Sequence, residues 1–155
     1  MRTSRPDPDE LLRLAGTHRG GRGRLKVYLG MAAGVGKTVR MLDDAHAARR
    51  AGIDVVGGLI EAHGRAETAA RIGDLEVIPR KPVTHRGITI EEMDEDAILA
   101  RHPDIVVIDE LPHTNAPESR NEKRWQDVEE ILATGTSVMT ATMGLVRDIA
   151  NELLN

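Results

Sequence analysis

The sequence predicts an α/β fold, a three-layer sandwich around a mostly parallel central sheet with a small β-hairpin insertion. Three observations predict it. Residues 53–60 and 105–108 are short, nearly continuous apolar runs, the pattern of strands buried on both faces. Segments of helical period lie between such runs, so strands and helices alternate along the chain. The length of 155 residues suits one domain with enough core to fold alone.

Taken in order, Pro6, Asp7, Pro8 and Asp9 precede a short apolar helix, Glu10-Leu11-Leu12-Arg13-Leu14-Ala15, whose start suits acidic groups. Residues 17–24 are basic and glycine-rich. They read as a flexible linker into the first strand, with an anion- or membrane-seeking patch as the other reading. Residues 1–24 are thereby set apart from the main domain, 25–155. A strand is predicted over 25–29 and a helix over 37–50, with Val39, Leu42, Ala45 and His46 near one face. Arg49 and Arg50 suit that helix's negative end, and Gly52 closes it.

After the strand at 53–60 comes a short helix, 67–72, and then Leu75-Glu76-Val77-Ile78. Residues 83–90 read as a small hairpin turning at Gly87. Thr89 with Glu92 forms a capping-box pattern for a helix over 90–101 that ends before Pro103. The strand at 105–108 leads to a helix at about 122–133, with Trp125, Val128, Ile131 and Leu132 on one stripe. Gly135 stops it, 137–142 is a strand, and 145–154 a last helix.

Composition narrows the functional classes. A formal net charge of −4 argues against a general nucleic-acid binder, which needs a basic face. Tyr28 and Trp125 are the only aromatics, so binding of single strands by base stacking is disfavoured. Met31, Met41, Met93, Met139 and Met143 read as gap-fillers in a core short of aromatics. The absence of cysteine excludes disulfides, thiolate metal sites and a nucleophilic thiol. With no signal peptide and no apolar run of membrane-spanning length, the expected location is cytoplasmic.

The chemistry concentrates after the predicted strands. Residues 25–38 run Leu-Lys-Val-Tyr-Leu-Gly-Met-Ala-Ala-Gly-Val-Gly-Lys-Thr, the layout of a phosphate-binding P-loop between a strand and a helix. Gly34, Val35 and Gly36 would turn successive N–H groups toward phosphate oxygens, and the helix start adds its positive dipole. Lys37 would reach the β- and γ-phosphates, and the Thr38 hydroxyl would ligate Mg²⁺. Met31 stands where the strict motif has its first glycine.

Ile105-Val106-Val107-Ile108-Asp109-Glu110 has the Walker-B pattern, a buried strand ending in a carboxylate. Ligands of open α/β sheets bind at the strands' carboxyl edge, where Asp109 would hold Mg²⁺ directly or through water. Glu110 is placed to polarise a water or an acceptor hydroxyl. Glu61-Ala62-His63-Gly64-Arg65 follows the strand at 53–60 and reaches the same edge; Glu61 reads as acid or base, His63 and Arg65 as anion contacts. Beyond Glu110, the loop residues His113, Thr114 and Asn115 are candidate water or phosphate contacts. Arg120 and Arg124 are candidate sources of positive charge for a transition state. Equally, Pro112 and Pro117 merely shape an ordered loop. No spaced third ligand joins His63 and His113, so the metal expected is Mg²⁺ and not zinc.

The order of these segments resembles one family. Arg5-Pro6-Asp7-Pro8-Asp9-Glu10-Leu11-Leu12, Gly34-Val35-Gly36-Lys37-Thr38 and Glu61-Ala62-His63-Gly64-Arg65 come first. Asp109-Glu110-Leu111-Pro112-His113-Thr114-Asn115-Ala116-Pro117 and Ser119-Arg120-Asn121-Glu122-Lys123-Arg124-Trp125-Gln126-Asp127-Val128 follow. Together they closely resemble the cytoplasmic N-terminal domain of the KdpD osmosensitive potassium sensor histidine kinases, over about residues 5–140. The resemblance implies a P-loop NTPase-like domain that binds ATP and Mg²⁺ and regulates a two-component system governing potassium uptake. It implies that Gly34, Gly36, Lys37 and Thr38 hold nucleotide, with Asp109 as Walker-B partner.

Departures are Met31-Ala32-Ala33 for the family's Ala-Ala-Pro, Ala62 for a common Thr, Glu118 for a frequent Gly, and the tail from Ala141. Larger members add a stress-protein-like domain, membrane helices and a kinase region, none of which this sequence contains. The expectation is therefore an excised domain, a truncated product or a short form acting in trans. Its partners would be a histidine kinase region or response-regulator pathway proteins, with a homodimer left open. A phosphotransferase using Glu110 or Glu61, a slow ATPase, and a remnant with a dead loop are the alternatives.

Overall fold

The computed structural model describes residues 8–16, 21–29, 36–62 and 64–142. Four parallel strands form one sheet in the order β1 (Leu25–Leu29), β6 (Ser137–Thr142), β5 (Ile105–Ile108), β2 (Val55–Leu59). Every strand of this sheet is parallel, so all four carboxyl ends meet along one edge.

Two apolar clusters show why the fold is a three-layer sandwich. Side chains alternate across a strand, so Ile105 and Val107 face one way and Val106 and Ile108 the other. The first pair packs with Met41, Leu42, Ala45 and Ala48 of α2 (Gly36–Arg50) and with Leu11 and Leu14 of α1 (Pro8–Ala15). The second pair packs with Ile98 of α4 (Glu95–Arg101) and Val128, Ile131 and Leu132 of α5 (Arg124–Ala133). Val106, Val107, Ile105 and Ile108 are wholly buried, each contributing about 1.5–3 kcal/mol relative to exposure. Met41, Met93 and Met139 are buried in this core, as expected of them, while Met31 and Met143 lie outside the described residues.

Two departures from the predicted elements have physical causes. The buried face of α2 is Thr38, Met41, Leu42, Asp44, Ala45 and Ala48, one step round from the predicted Val39 and His46. Asp44 is tolerated there because Tyr28 of β1 donates its hydroxyl hydrogen to it; burial and this carboxylate together push the phenol's pKa well up. The helix predicted over 90–101 begins only at Glu95. Residues 88–92 instead form β4 (Ile88–Glu92), paired antiparallel with β3 (Lys81–His85). Thr89 thus lies opposite Thr84, their hydroxyls 3.0 Å apart, and Asp94 caps α4 by accepting from the Ala97 N–H at 3.0 Å. Arg86 and Gly87, with φ of 52° and 78°, make the two-residue turn.

The outer edge of β2 is covered by the segment after α3 (Ala66–Ile72). Gly57 donates to the Glu76 carbonyl at 2.7 Å and accepts from the Ile78 N–H at 2.8 Å. Crowding on both sides is why the strand carries glycines: a Cβ on Gly57 would come within 2.8 Å of Ile60 and 3.2 Å of Val77, and one on Gly58 within 2.8 Å of both Ile98 and Val106. The predicted helix at 145–154 lies outside the described residues. Among the described residues no helix is long and apolar enough to cross a membrane.

Candidate functional site

The site is assembled at the carboxyl edge of the sheet. Asp109 continues the alternation of Ile105 and Val107, which directs its side chain to the α2 face. There α2 begins with Gly36, Lys37 and Thr38 and has no acidic residue in its first turn. A Cβ on Gly36 would meet nothing within 4 Å among the described residues. Thr38 is buried and Lys37 half-buried. β6 stands between β1 and β5, so the strand that leads to Lys37 and the strand that leads to Asp109 are two strand spacings apart, about 9–10 Å. Its last residue, buried Thr142, pairs with Leu29 and ends at the same edge.

Asp109 is only 5 % exposed, and burial is the main influence raising its carboxyl pKa. Main-chain N–H groups of Glu110 and Glu61 pull the other way, the Glu110 charge raises it, and the Lys37 ammonium lowers it. The Glu110 N–H donates to Oδ1 at 3.0 Å. Among the described residues this buried carboxylate is oriented by main-chain donors and pairs with no side-chain cation, the kind of group that would suit a divalent ion. The Lys37 ammonium, the Thr38 hydroxyl and the head of α2, with this carboxylate nearby, are groups of the kind that would suit a phosphate and its cation.

Glu110 takes φ +55°, uncommon for a non-glycine residue. Its carbonyl accepts from Nη1 of Arg124 at 3.0 Å and from the His113 N–H at 3.2 Å. Glu61 sits beside this turn, its carboxylate paired with Arg80 at 2.7 Å. Arg65 is exposed at the start of α3. Gly34, Val35 and His63 lie outside the described residues.

The loop after Glu110 is folded onto itself. His113 Nε2 lies 2.9 Å from Oε1 of buried Glu92 at the end of β4. Thr114 Oγ1 accepts from Lys123 Nζ at 2.7 Å. Asn115 Nδ2 donates to the Asn121 carbonyl at 3.0 Å and to Asp127 Oδ2 at 2.9 Å. Arg120 pairs with Glu95, with Asp96 at 3.0 Å and with Glu130 at 3.6 Å. Lys37, Thr38, Asp109, Glu110 and Glu61 therefore share the carboxyl edge. Arg120 belongs to an acidic group between α4 and α5, and Thr114 and Asn115 brace their own loop.

Sequence reasoning missed Glu92, Glu95 and Asp127. Asp127 had a signal: with Arg124 it falls on the helical stripe of Val128 and Ile131, and charges on a buried stripe must be paired. An open cleft of about 620 Å³, lined by His46, Arg49, Asp54, Asp74 and Glu76 among others, lies at the opposite, amino edge of the sheet. Arg101 spans Asp54 and Glu76 there, holding both carboxyls below the usual range.

The Glu95 group yields a pH prediction. Burial, then the hydrogen bond and charge of Asp127, push the Glu95 carboxyl up to about 8, with Arg120 opposing. In the unfolded chain it titrates near 4.5. Between those values the folded state holds more protons, so this group's contribution to stability falls as pH rises and is lost by about 8. Glu95→Gln is expected to flatten the decline of urea midpoints between pH 5 and 8, roughly that window. An unchanged slope would contradict it.

Comparison with known proteins gives the family. Residues 21–147 match the sequence profile of the KdpD family, described as "Osmosensitive K+ channel His kinase sensor domain". The chain belongs to the KdpD family. It is 52 % identical over 137 residues to Sensor protein KdpD of Escherichia coli (strain K12), covering 88 % of this chain and 15 % of that protein. It is 50 % identical over 119 residues to the Mycobacterium tuberculosis Sensor protein KdpD, covering 77 % of this chain and 14 % of that one. The Clostridium acetobutylicum KdpD sensor matches at 45 % over 138 residues, 88 % of this chain and 15 % of the relative. The chain thus spans about one seventh of the length of these relatives. The KdpD match includes the Asp109–Arg124 segment, whose side chains brace one another around the turn at Glu110.

Proposed function

We propose that this domain binds Mg²⁺-ATP at the carboxyl edge of its sheet and reports occupancy to the kinase region of a KdpD-type two-component potassium sensor. One observation carries the reading: Lys37 and Thr38 open α2 on the sheet face to which Asp109 points, close enough that the Lys37 charge is felt at its carboxyl. The helix start and Lys37 would hold phosphate, while Thr38 and Asp109 would hold Mg²⁺, which supplies charge neutralisation of the phosphates. A report to a partner would travel through the braced loop, whose His113 ties the Walker-B turn to Glu92 of the hairpin.

Titration calorimetry with ATP, with Mg²⁺ and in EDTA, tests this. Wild type is expected to bind tighter with Mg²⁺. Asp109→Asn is expected to lose at least tenfold of that gain, about 1.4 kcal/mol, while keeping the magnesium-free affinity. No binding in either condition would refute the reading. A second reading, phosphoryl transfer, draws on Glu110: its half-buried side chain stands on a fixed turn beside the cation ligand, where a base for an acceptor hydroxyl would stand. Glu110-dependent transfer of label from ATP to a protein fragment of the kinase pathway would favour it.

A further inference from the structure

Arg124 contradicts its apparent role as a free cation. It is 3 % exposed, and burial works to lower its pKa. Its Nη1 donates to the carbonyls of Asp109 at 3.2 Å and Glu110 at 3.0 Å. The acids around it, Glu92, Glu110, Asp127 and Glu61, act on it through space. Its Nε has no hydrogen-bond partner among the described residues. Burying a guanidinium with an idle donor is costly, and neutral side chains of similar bulk would pack α5 as well.

What the guanidinium does that packing cannot is hold two consecutive carbonyls on one side of a turn. Without a restraint, a flip of the 109–110 peptide plane, a coupled change in ψ of Asp109 and φ of Glu110, would relieve Glu110 of φ +55° and carry its N–H away from Asp109 Oδ1; Arg124 holds the Asp109 carbonyl of that same plane. The carboxylate would then lose the bond that orients it. The restraint comes from α5, whose Arg124 N–H in turn donates to the His113 carbonyl at 3.0 Å.

Resting on the Mg²⁺-ATP reading, we infer that Arg124 is the positioning residue of the cation site: seated on the Asp109 and Glu110 carbonyls, its guanidinium fixes the left-handed turn that aims the Asp109 carboxylate and so sets how much Mg²⁺ adds to nucleotide affinity. Arg124 does not touch phosphate in this role. It acts through Asp109.

The test uses Arg124→Met, which keeps the aliphatic stem, with Glu110→Gly, which makes positive φ easy, and the double variant. ATP calorimetry with Mg²⁺ and in EDTA is paired with amide hydrogen exchange at residues 109–111 in nucleotide-free protein. For Arg124→Met the affinity in EDTA is expected within about threefold of wild type, with the Mg²⁺ gain reduced at least tenfold, as for lost orientation of one ligand. Exchange at 109–111 should quicken by about tenfold, as the local opening there becomes easier. Adding Glu110→Gly should restore part of both, which repacking around a lost core side chain would not do. An undiminished Mg²⁺ gain, an equal loss in EDTA, or no restoration by glycine overturns the inference. If Arg124→Met does not fold, Arg124→Lys replaces it, and a full wild-type Mg²⁺ gain there would overturn it. Wild type lacking any ATP affinity would instead sink the Mg²⁺-ATP reading, while exchange at 109–111 would still report whether the clamp holds the turn.

Discussion

Gly23→Ala is expected to destabilise the domain by about 3 kcal/mol or more, the upper range of overpacking. A Cβ at this position would lie 2.0 Å from the Thr136 carbonyl oxygen, 2.4 Å from its carbon and 2.9 Å from the Ser137 nitrogen. These are main-chain atoms, which no rotamer change can move aside. Gly23 also donates to the Leu132 carbonyl at 2.8 Å, and its neighbour Arg24 donates from N to Ser137 Oγ at 3.0 Å. Thr136 cannot retreat either, because its hydroxyl donates to the Pro103 carbonyl at 2.9 Å. The clash therefore falls where β1 docks on β6, and relief requires parting the two strands. For a chain of this size the melting temperature should drop by about 6–12 °C. A drop under about 2 °C would show that β1 can shift along β6 at little cost.

The same contacts show what a linear reading can and cannot see. Residues 17–24 read as a flexible linker because arginine and glycine carry no periodicity. Gly23 and Arg24 nonetheless lie against β6, held by main-chain bonds that composition does not encode. The strands were legible because burial on both faces demands unbroken Val and Ile. Asp109 was legible for a related reason, since a charge that ends such a run must come out at the sheet edge. The loop from His113 to Arg124 was not. Its polar side chains have the donors and acceptors a phosphate would use, and only the folded chain shows that they bind each other and the turn. Thr89 and Glu92 matched a capping box equally well, until pairing with β3 claimed one and His113 the other. Local patterns fail here where a long-range partner competes for the same polar atom.

Lys37→Ala is expected to lower ATP affinity at least tenfold with or without Mg²⁺, while the fold survives. The magnitude follows from the bonds removed: hydrogen bonds to charged groups contribute about 1.5–3 kcal/mol each, and 1.4 kcal/mol is a factor of ten. Survival of the fold follows from position. Lys37 is half-buried in the first turn of α2, where the helix has the fewest internal bonds, and the core face of that helix runs through Met41, Leu42, Ala45 and Ala48. Removing the ammonium also withdraws a charge that lowers the Asp109 carboxyl, so that carboxyl should rise further. The variant should then need higher pH than wild type to reach its full Mg²⁺ gain, because a protonated Asp109 cannot serve as ligand. Asp109→Asn, by contrast, removes the gain at every pH. Calorimetry across pH 5 to 8 in both variants separates a lost phosphate contact from a lost cation ligand. An unchanged ATP affinity in Lys37→Ala would mean that the phosphates, if bound at all, lie elsewhere than at the head of α2.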